Sequence, residues 1–146
     1  MWCVCFLALD VLGDFFYTMY HFSAHKIPFL WTYHKTHHEK IHPSAADTFH
    51  ISCADVILST TFRILAPIVV LWDMVCVKSL IAFAIFSTAI GVSHHSNTRL
   101  ARWVSLGFLP GRVYPDYHLQ HHKNPGINYG GGYWLWDYLL SVFKLM

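Results

Sequence analysis

A thirty-residue stretch from Ile64 to Ser93 carries only two charged side chains, Asp73 and Lys78. A single helix of that length would measure about 45 Å, whereas the hydrocarbon core of a bilayer is ~30 Å thick. Two helices joined at the charged pair fit this length better. The sequence therefore predicts a membrane hairpin, with helices from about Asp55 to Trp72 and from about Ser79 to Ser93.

The composition agrees with a membrane protein. Of the 146 residues, 55% are hydrophobic and 12% are charged, whereas about 25% are charged in soluble domains. A tightly packed soluble helical core is the alternative. The net charge of +2 with neutral histidines gives no basis for nucleic-acid binding. We expect a single all-α domain over residues 1–146.

A third apolar helix is predicted from Met1 to about Phe22, interrupted by Asp10 and Asp14. Its start lacks the positive charges and cleavage site of a signal peptide. A carboxylate at membrane depth is costly and suggests a function. Asp14 could equally lie at the interface in water.

The distribution of basic residues predicts which side of the membrane the histidine-bearing segments face. Eight of the ten lysines and arginines lie in the histidine-bearing segments, and only Arg63 and Lys78 lie in the hairpin region. By the positive-inside rule, the histidine segments face the cytoplasm. The aromatic-rich segment from Tyr133 to Phe143 is predicted to form a final helix that can lie along the interface.

Histidines occur in three dense clusters, namely His21 and His25; His34, His37 and His38; and His118, His121 and His122. On a helix, positions i, i+3 and i+4 share one face. Imidazole is a good ligand for zinc, copper, iron and nickel. Eight histidines exceed the four ligands of one tetrahedral zinc ion, so the clusters predict two metal ions.

Further histidines follow or precede the hairpin. We expect His95 to be a ligand and His94 to be a satisfied histidine at the interface. His50 is a less certain ligand, which could approach the site from the entry of the first hairpin helix. His42 lies in a predicted loop and is expected to be solvated.

These residues, in this order, resemble the fatty acid hydroxylase superfamily, which includes sterol desaturases and sterol C4-methyl oxidases. The resemblance extends from about Asp14 to Asp137. The segment His34-Lys35-Thr36-His37-His38-Glu39 is similar to the sterol oxidase boxes. Four segments carry the resemblance, with matching spacers as well as histidines: Asp14–His25, Leu30–Glu39, His95–Arg99 and Pro115–Asp137.

The resemblance implies an integral-membrane helical bundle with a cytoplasmic, histidine-lined cap that holds a di-metal site. It implies two irons, with zinc possible in the purified protein, and dioxygen as co-substrate. Two electrons, delivered by cytochrome b5 or by a ferredoxin with its reductase, would serve to hydroxylate or desaturate a sterol or fatty acyl C–H bond. The endoplasmic reticulum is the expected membrane, and the chain would be a compact or N-terminally truncated form of the domain.

The site expected from the clusters and the resemblance has nine ligands and no catalytic residue beyond them. The ligands are His21, His25, His34, His37, His38, His95, His118, His121 and His122. Five polar residues are candidates for orienting the imidazoles, although each could instead be a helix cap or turn residue: Asp14, Asn97, Asp116, Asn128 and Asp137.

Two other classes of function are compatible with these residues. One is a membrane protein that binds or transports metal without redox chemistry, although transport sites usually lie on broken helices at mid-membrane. The other is an inactive partner subunit of a lipid-modifying complex. Three departures from the family pattern keep this second class open: Phe22 replaces the usual arginine, Ser141-Val142 replaces a Gly-Thr pair, and the chain begins shortly before the first histidine box.

Overall fold

Three apolar segments form the body of the protein in a computed structural model that describes residues 2–145. Helix α1 is Trp2–Lys26 and helix α5 is Val77–His94. Between them, α3 (Cys53–Thr60), a π-helical turn (Thr61–Leu65) and α4 (Ala66–Val70) form one continuous segment, Cys53–Val70. Each of the three is long and apolar enough to cross a membrane. The hairpin prediction is confirmed, and α1 continues four residues beyond its predicted end.

Shorter elements complete the chain, and no β-strand occurs among residues 2–145. The final helix is shorter than the predicted 133–143, and Met1 lies outside the described residues. Prolines begin two of these helices, since a proline at the first helical turn gives up no intrahelical hydrogen bond. The remaining bounds are α2 Pro28–His34, α6 Arg99–Val104, α7 Pro115–Lys123, α8 Leu135–Val142, and the 3₁₀ turns His37–Glu39 and Ala45–Phe49.

Side-chain contacts at the two ends of α1 show whether the other two apolar segments are parallel or antiparallel to it. Near its start, Cys5 accepts a hydrogen bond from Ser79 at the beginning of α5, with Ser79 Oγ 3.2 Å from the sulfur. Near its end, Tyr20 donates to Asp55 at the beginning of α3. Helix α5 is therefore parallel to α1, and the α3–α4 segment is antiparallel to both. This topology brings the histidine-bearing segments to one end of the bundle.

Helix α1 approaches the α3–α4 segment closely at Gly13. A Cβ at this position would lie 2.7 Å from the Arg63 carbonyl oxygen and 2.6 Å from the Phe83 ring. Position 67, four residues after Arg63, is a proline and has no N–H to donate to that carbonyl. The π-helical turn at Thr61–Leu65 accompanies this interruption.

Both carboxylates of α1 are buried rather than placed in water, with Asp10 and Asp14 each 1% exposed. Asp10 forms an ion pair with Arg112 and accepts a hydrogen bond from the Tyr133 hydroxyl at 2.8 Å. Asp14 accepts a hydrogen bond from the Tyr133 backbone N–H at 3.0 Å and lies 3.6 Å from Arg63. Pairing offsets the desolvation that makes an isolated charge costly at this depth. It also fastens the C-terminal segment to α1.

Replacing Gly13 with alanine should destabilise the protein by about 1–3 kcal/mol, because the added methyl group has no room between two helices. Gly91→Ala is the matched control, since a Cβ at Gly91 meets nothing within 4 Å and alanine favours the helix by up to about 1 kcal/mol. The unfolding temperatures of both variants are measured by thermal unfolding in detergent, monitored by tryptophan fluorescence. A Gly13→Ala midpoint as high as that of Gly91→Ala would contradict the close approach.

Candidate metal centre

Nine buried or half-buried histidines converge at the end of the bundle in two groups. Within each group, the ligand nitrogens all lie within 4.8 Å of one another. The groups are adjacent, since the ring centroids of His38 and His122 are 4.7 Å apart. The first group is His21, His25, His34, His38 and His121, and the second group is His37, His95, His118 and His122.

Each histidine triplet contributes to both groups. In the triplet of residues 34–38, the i and i+4 members belong to the first group, and the i+3 member, His37, belongs to the second. In the triplet of residues 118–122, the i and i+4 members belong to the second group, and His121 belongs to the first. The i and i+4 imidazoles, one helical turn apart, can bind the same metal ion. The i+3 imidazole of each triplet belongs to the neighbouring group. The triplets thereby join two sites.

The spacing of the Nε2 atoms in the second group fits one metal ion. His95 Nε2 lies 3.2 Å from His37 Nε2 and from His118 Nε2, and 3.3 Å from His122 Nε2. Nitrogens bound to one tetrahedral metal at about 2.0–2.1 Å lie roughly 3.3–3.4 Å from each other. The donor set is entirely imidazole, which suits a transition metal rather than calcium or magnesium.

The first group has five donors with similar spacing. His25 Nε2 is 3.3 Å from His21 Nε2 and 3.0 Å from His121 Nε2. His38 Nε2 is 3.2 Å from His34 Nε2. Five imidazoles exceed a tetrahedral shell, so this group fits an ion of higher coordination number.

Backbone carbonyls accept hydrogen bonds from the outer nitrogens of three ligands. His21 Nδ1 donates to the Tyr129 carbonyl at 2.8 Å, and His121 Nδ1 donates to the Ile127 carbonyl at 2.6 Å. His95 Nδ1 donates to the carbonyl one turn earlier in its own helix, at 2.9 Å. An imidazole whose Nδ1 carries the proton presents the Nε2 lone pair to a metal.

Asp55 orients a fourth ligand, and sequence reasoning missed it. His34 Nδ1 donates to Asp55 Oδ2 at 2.9 Å, and the Tyr20 hydroxyl donates to the other carboxylate oxygen. Asp55 is 1% exposed, at the first turn of α3. Its position suggested only the beginning of a hairpin helix. The available signal was an acidic residue in the first turn of a membrane helix that begins beside the histidine cluster.

Burial lowers the pKa of several histidines in the two groups. Desolvation lowers the pKa of His121 to about 4. Desolvation, together with repulsion from His95, lowers the pKa of His122 to about 3. Desolvation also lowers the pKa of His38 and His118 well below the ordinary value. Neutral rings compete little for protons at neutral pH, so their lone pairs are available to metal.

Asp137 and Asn128 hold the loop that provides two of these carbonyls. The Asp137 carboxylate accepts hydrogen bonds at 2.7 Å from the backbone N–H groups of Tyr129 and Gly130, and one at 2.8 Å from the Tyr117 hydroxyl. Asn128 adopts a φ of +60° and donates to the Tyr117 carbonyl. Both candidates therefore hold the loop backbone, and within residues 2–145 neither hydrogen-bonds an imidazole.

Four other candidates lie apart from the two groups. His50, the less certain ligand, lies in neither, and its Nε2 pairs with Glu39 at 2.8 Å. Asp116 forms an ion pair with Arg102, which also donates to Asn97. Asp14 bonds Tyr133 and pairs with Arg63, as described above. None of these three polar side chains hydrogen-bonds a histidine ring within residues 2–145.

A cavity of about 130 Å³ adjoins the second group. Metal-group histidines form one side, while Tyr17, Arg63 and Ser87 contribute polar groups from the membrane helices. His94 also lines this cavity. It is buried, and its Nε2 has no hydrogen-bond partner among residues 2–145. The prediction of a satisfied interfacial histidine is therefore wrong for His94, whereas His42 is exposed as predicted.

The structure thus has three helical segments long and apolar enough to span a membrane and two adjacent imidazole groups that could each hold a metal ion. A model of the fatty acid hydroxylase family matches residues 4–141, and the chain belongs to that family. A comparison with curated proteins found no match, and a comparison with solved structures found none. Membership supports an oxidoreductase that acts on lipid.

Replacing Asp55 with alanine should weaken metal binding about 10- to 100-fold, because His34 loses the acceptor that fixes its ring. Asp116→Ala is the control, since that carboxylate pairs with Arg102 and hydrogen-bonds no ligand histidine within residues 2–145. Chelator competition on purified protein measures both affinities. Equal affinities for the two variants would contradict a role for Asp55 in orienting His34.

Proposed function

We propose that the protein is a non-haem di-iron oxidoreductase that uses dioxygen and two electrons to hydroxylate or desaturate a C–H bond of a sterol or fatty acyl lipid. The convergence of nine imidazole nitrogens in two adjacent groups carries this proposal. Membership of the fatty acid hydroxylase family supports the lipid substrate and the oxidative reaction.

The electron balance follows from the reaction class. Hydroxylation converts one C–H bond and one dioxygen, with two electrons and two protons, into an alcohol and one water. Desaturation uses the same reactants, removes two hydrogens from adjacent carbons and yields two waters. Two irons bound by the two groups would supply the reduction of dioxygen and the removal of hydrogen.

The residues of this chain contribute binding, orientation and exclusion of water. Tyr129, Ile127 and Asp55 fix the tautomers of ligand histidines through their outer nitrogens. Both groups are largely shielded from solvent, with His21 and His121 fully buried. A water-excluded site protects reactive oxygen chemistry from side reactions. The cavity beside the second group offers space where a substrate C–H bond could reach the centre.

Iron is the assignment that the family favours, since imidazole alone accepts zinc, copper, iron or nickel. Zinc can occupy such a site during purification. We assign delivery of the two electrons to cytochrome b5, or to a ferredoxin with its reductase. We place the cap on the cytoplasmic side of the endoplasmic reticulum membrane, where such donors would reach it.

The test is dioxygen consumption by anaerobically iron-loaded protein in lipid nanodiscs, with mass spectrometry of the lipids. The wild type should consume dioxygen only with reductant and add one oxygen to a lipid or remove two hydrogens. His122→Ala should lose this uptake by about 100-fold or more, because it removes a ligand of the second group. His42→Ala, in an exposed loop, should retain it. Bound zinc without dioxygen uptake after iron loading would instead favour a metal-binding or inactive partner subunit.

A further inference from the structure

The depth of the C-terminal part of the chain can be read from its contacts with α1. Ser79 contacts Cys5, so Lys78 and the beginning of α1 mark the same membrane surface. Measured from Trp2, a hydrocarbon core of ~30 Å ends near Phe22. Asp14 then lies about 18 Å from the first surface and about 12 Å below the second.

Both the backbone and the side chain of Tyr133 lie at about this depth. Its N–H donates to Asp14 at 3.0 Å, and its hydroxyl reaches Asp10, one turn deeper. Arg112 pairs with the same Asp10 and stacks on Phe86, 5.1 Å from the ring centroid. Phe86 is nine residues into α5, about 13 Å from the helix start, so a second helix gives the same depth.

Backbone pairing brings the neighbouring segment to the same level. The N–H of Val113 donates to the Gly132 carbonyl at 3.0 Å, and the N–H of Trp134 donates to the Gly111 carbonyl at 3.2 Å. Irregular backbone is tolerated in a bilayer only where protein or internal partners satisfy it. The bonds to Asp14, and those between these two segments, meet that condition.

The outer surface of this region is largely apolar, with the charged side chains of Arg99 and Arg102 on α6. Five large side chains on and after α6 and on α8 are between 44% and 72% exposed. A groove of about 340 Å³ between α5 and α6 lies on the same face. In water such a surface would be costly and prone to association. The five side chains are Leu100, Trp103, Phe108, Leu109 and Tyr138.

We propose that residues 99–113 and 130–143 form a re-entrant lobe embedded in the same membrane leaflet as the histidine cap, with its apolar face and groove in contact with lipid acyl chains. Lipid is favoured over a protein partner because Asp10 and Asp14 place the lobe at hydrocarbon depth whenever α1 spans the bilayer. Arg112 is one of the eight basic residues on which the predicted orientation rests, and in this proposal it lies inside the lobe with its charge paired to Asp10.

The test is collision accessibility of single spin labels in phosphatidylcholine nanodiscs. The exposed cysteines, Cys3, Cys53 and Cys76, are first replaced by serine. Labels at Leu100→Cys and Tyr138→Cys report on the lobe. Ile85→Cys, on the exposed face of α5, is the lipid reference, and Lys123→Cys, exposed on the cap, is the water reference.

The measured quantity is the ratio of oxygen to nickel-chelate collisions at each label. At both lobe labels this ratio should equal that at Ile85 and be severalfold higher than that at Lys123. Nickel accessibility like that at Lys123 would overturn the proposal and place the lobe in water. Low accessibility to both reagents would overturn it in favour of a covering protein, including a second copy of the chain. Neither result depends on iron or turnover, so the proposed oxygenase function is tested separately.

Discussion

A neutral imidazole offers a metal one nitrogen while its other nitrogen holds the proton, and hydrogen bonds from this second nitrogen orient four of the nine ligand histidines. His21, His95 and His121 donate to backbone carbonyls, and His34 donates to Asp55. Two of the carbonyls belong to the loop before α8, the third belongs to α5, and Asp55 belongs to α3, so three parts of the chain orient these four ligands. The converging Nε2 atoms therefore depend on the docking of the C-terminal segment and of α3 as much as on the histidines.

The C-terminal segment docks onto α1 through carboxylates that lie in a predicted membrane span. Two carboxylates on α1 would be costly in hydrocarbon, yet they are compensated by Arg63, Arg112 and the backbone of Tyr133. The same contacts fix the height of the loop that supports the first metal group. The ion pairs and hydrogen bonds in the spans therefore also position the ligands of the cap. A substitution that breaks these pairs is expected to disturb the metal-binding geometry as well.

Local properties of the chain were predictable, and long-range pairings were not. Hydropathy predicted the hairpin, and helical spacing predicted that the histidines share faces. The assignment of adjacent His37 and His38 to different groups depends on where other helices lie. Asp55 was missed because it is 21 residues from His34, and only the fold brings them together. Asp116 and Asn97 were plausible near a histidine motif, but Arg102 engages both.

The most direct test of a two-metal centre is iron analysis combined with Fe K-edge X-ray absorption on protein loaded anaerobically and freed of unbound metal. The account predicts two tightly held irons per chain. It also predicts a first shell containing nitrogen at roughly 2.1 Å, with outer-shell scattering from imidazole rings. One iron per chain, or a first shell dominated by sulfur, would contradict the division of the nine histidines into two metal groups.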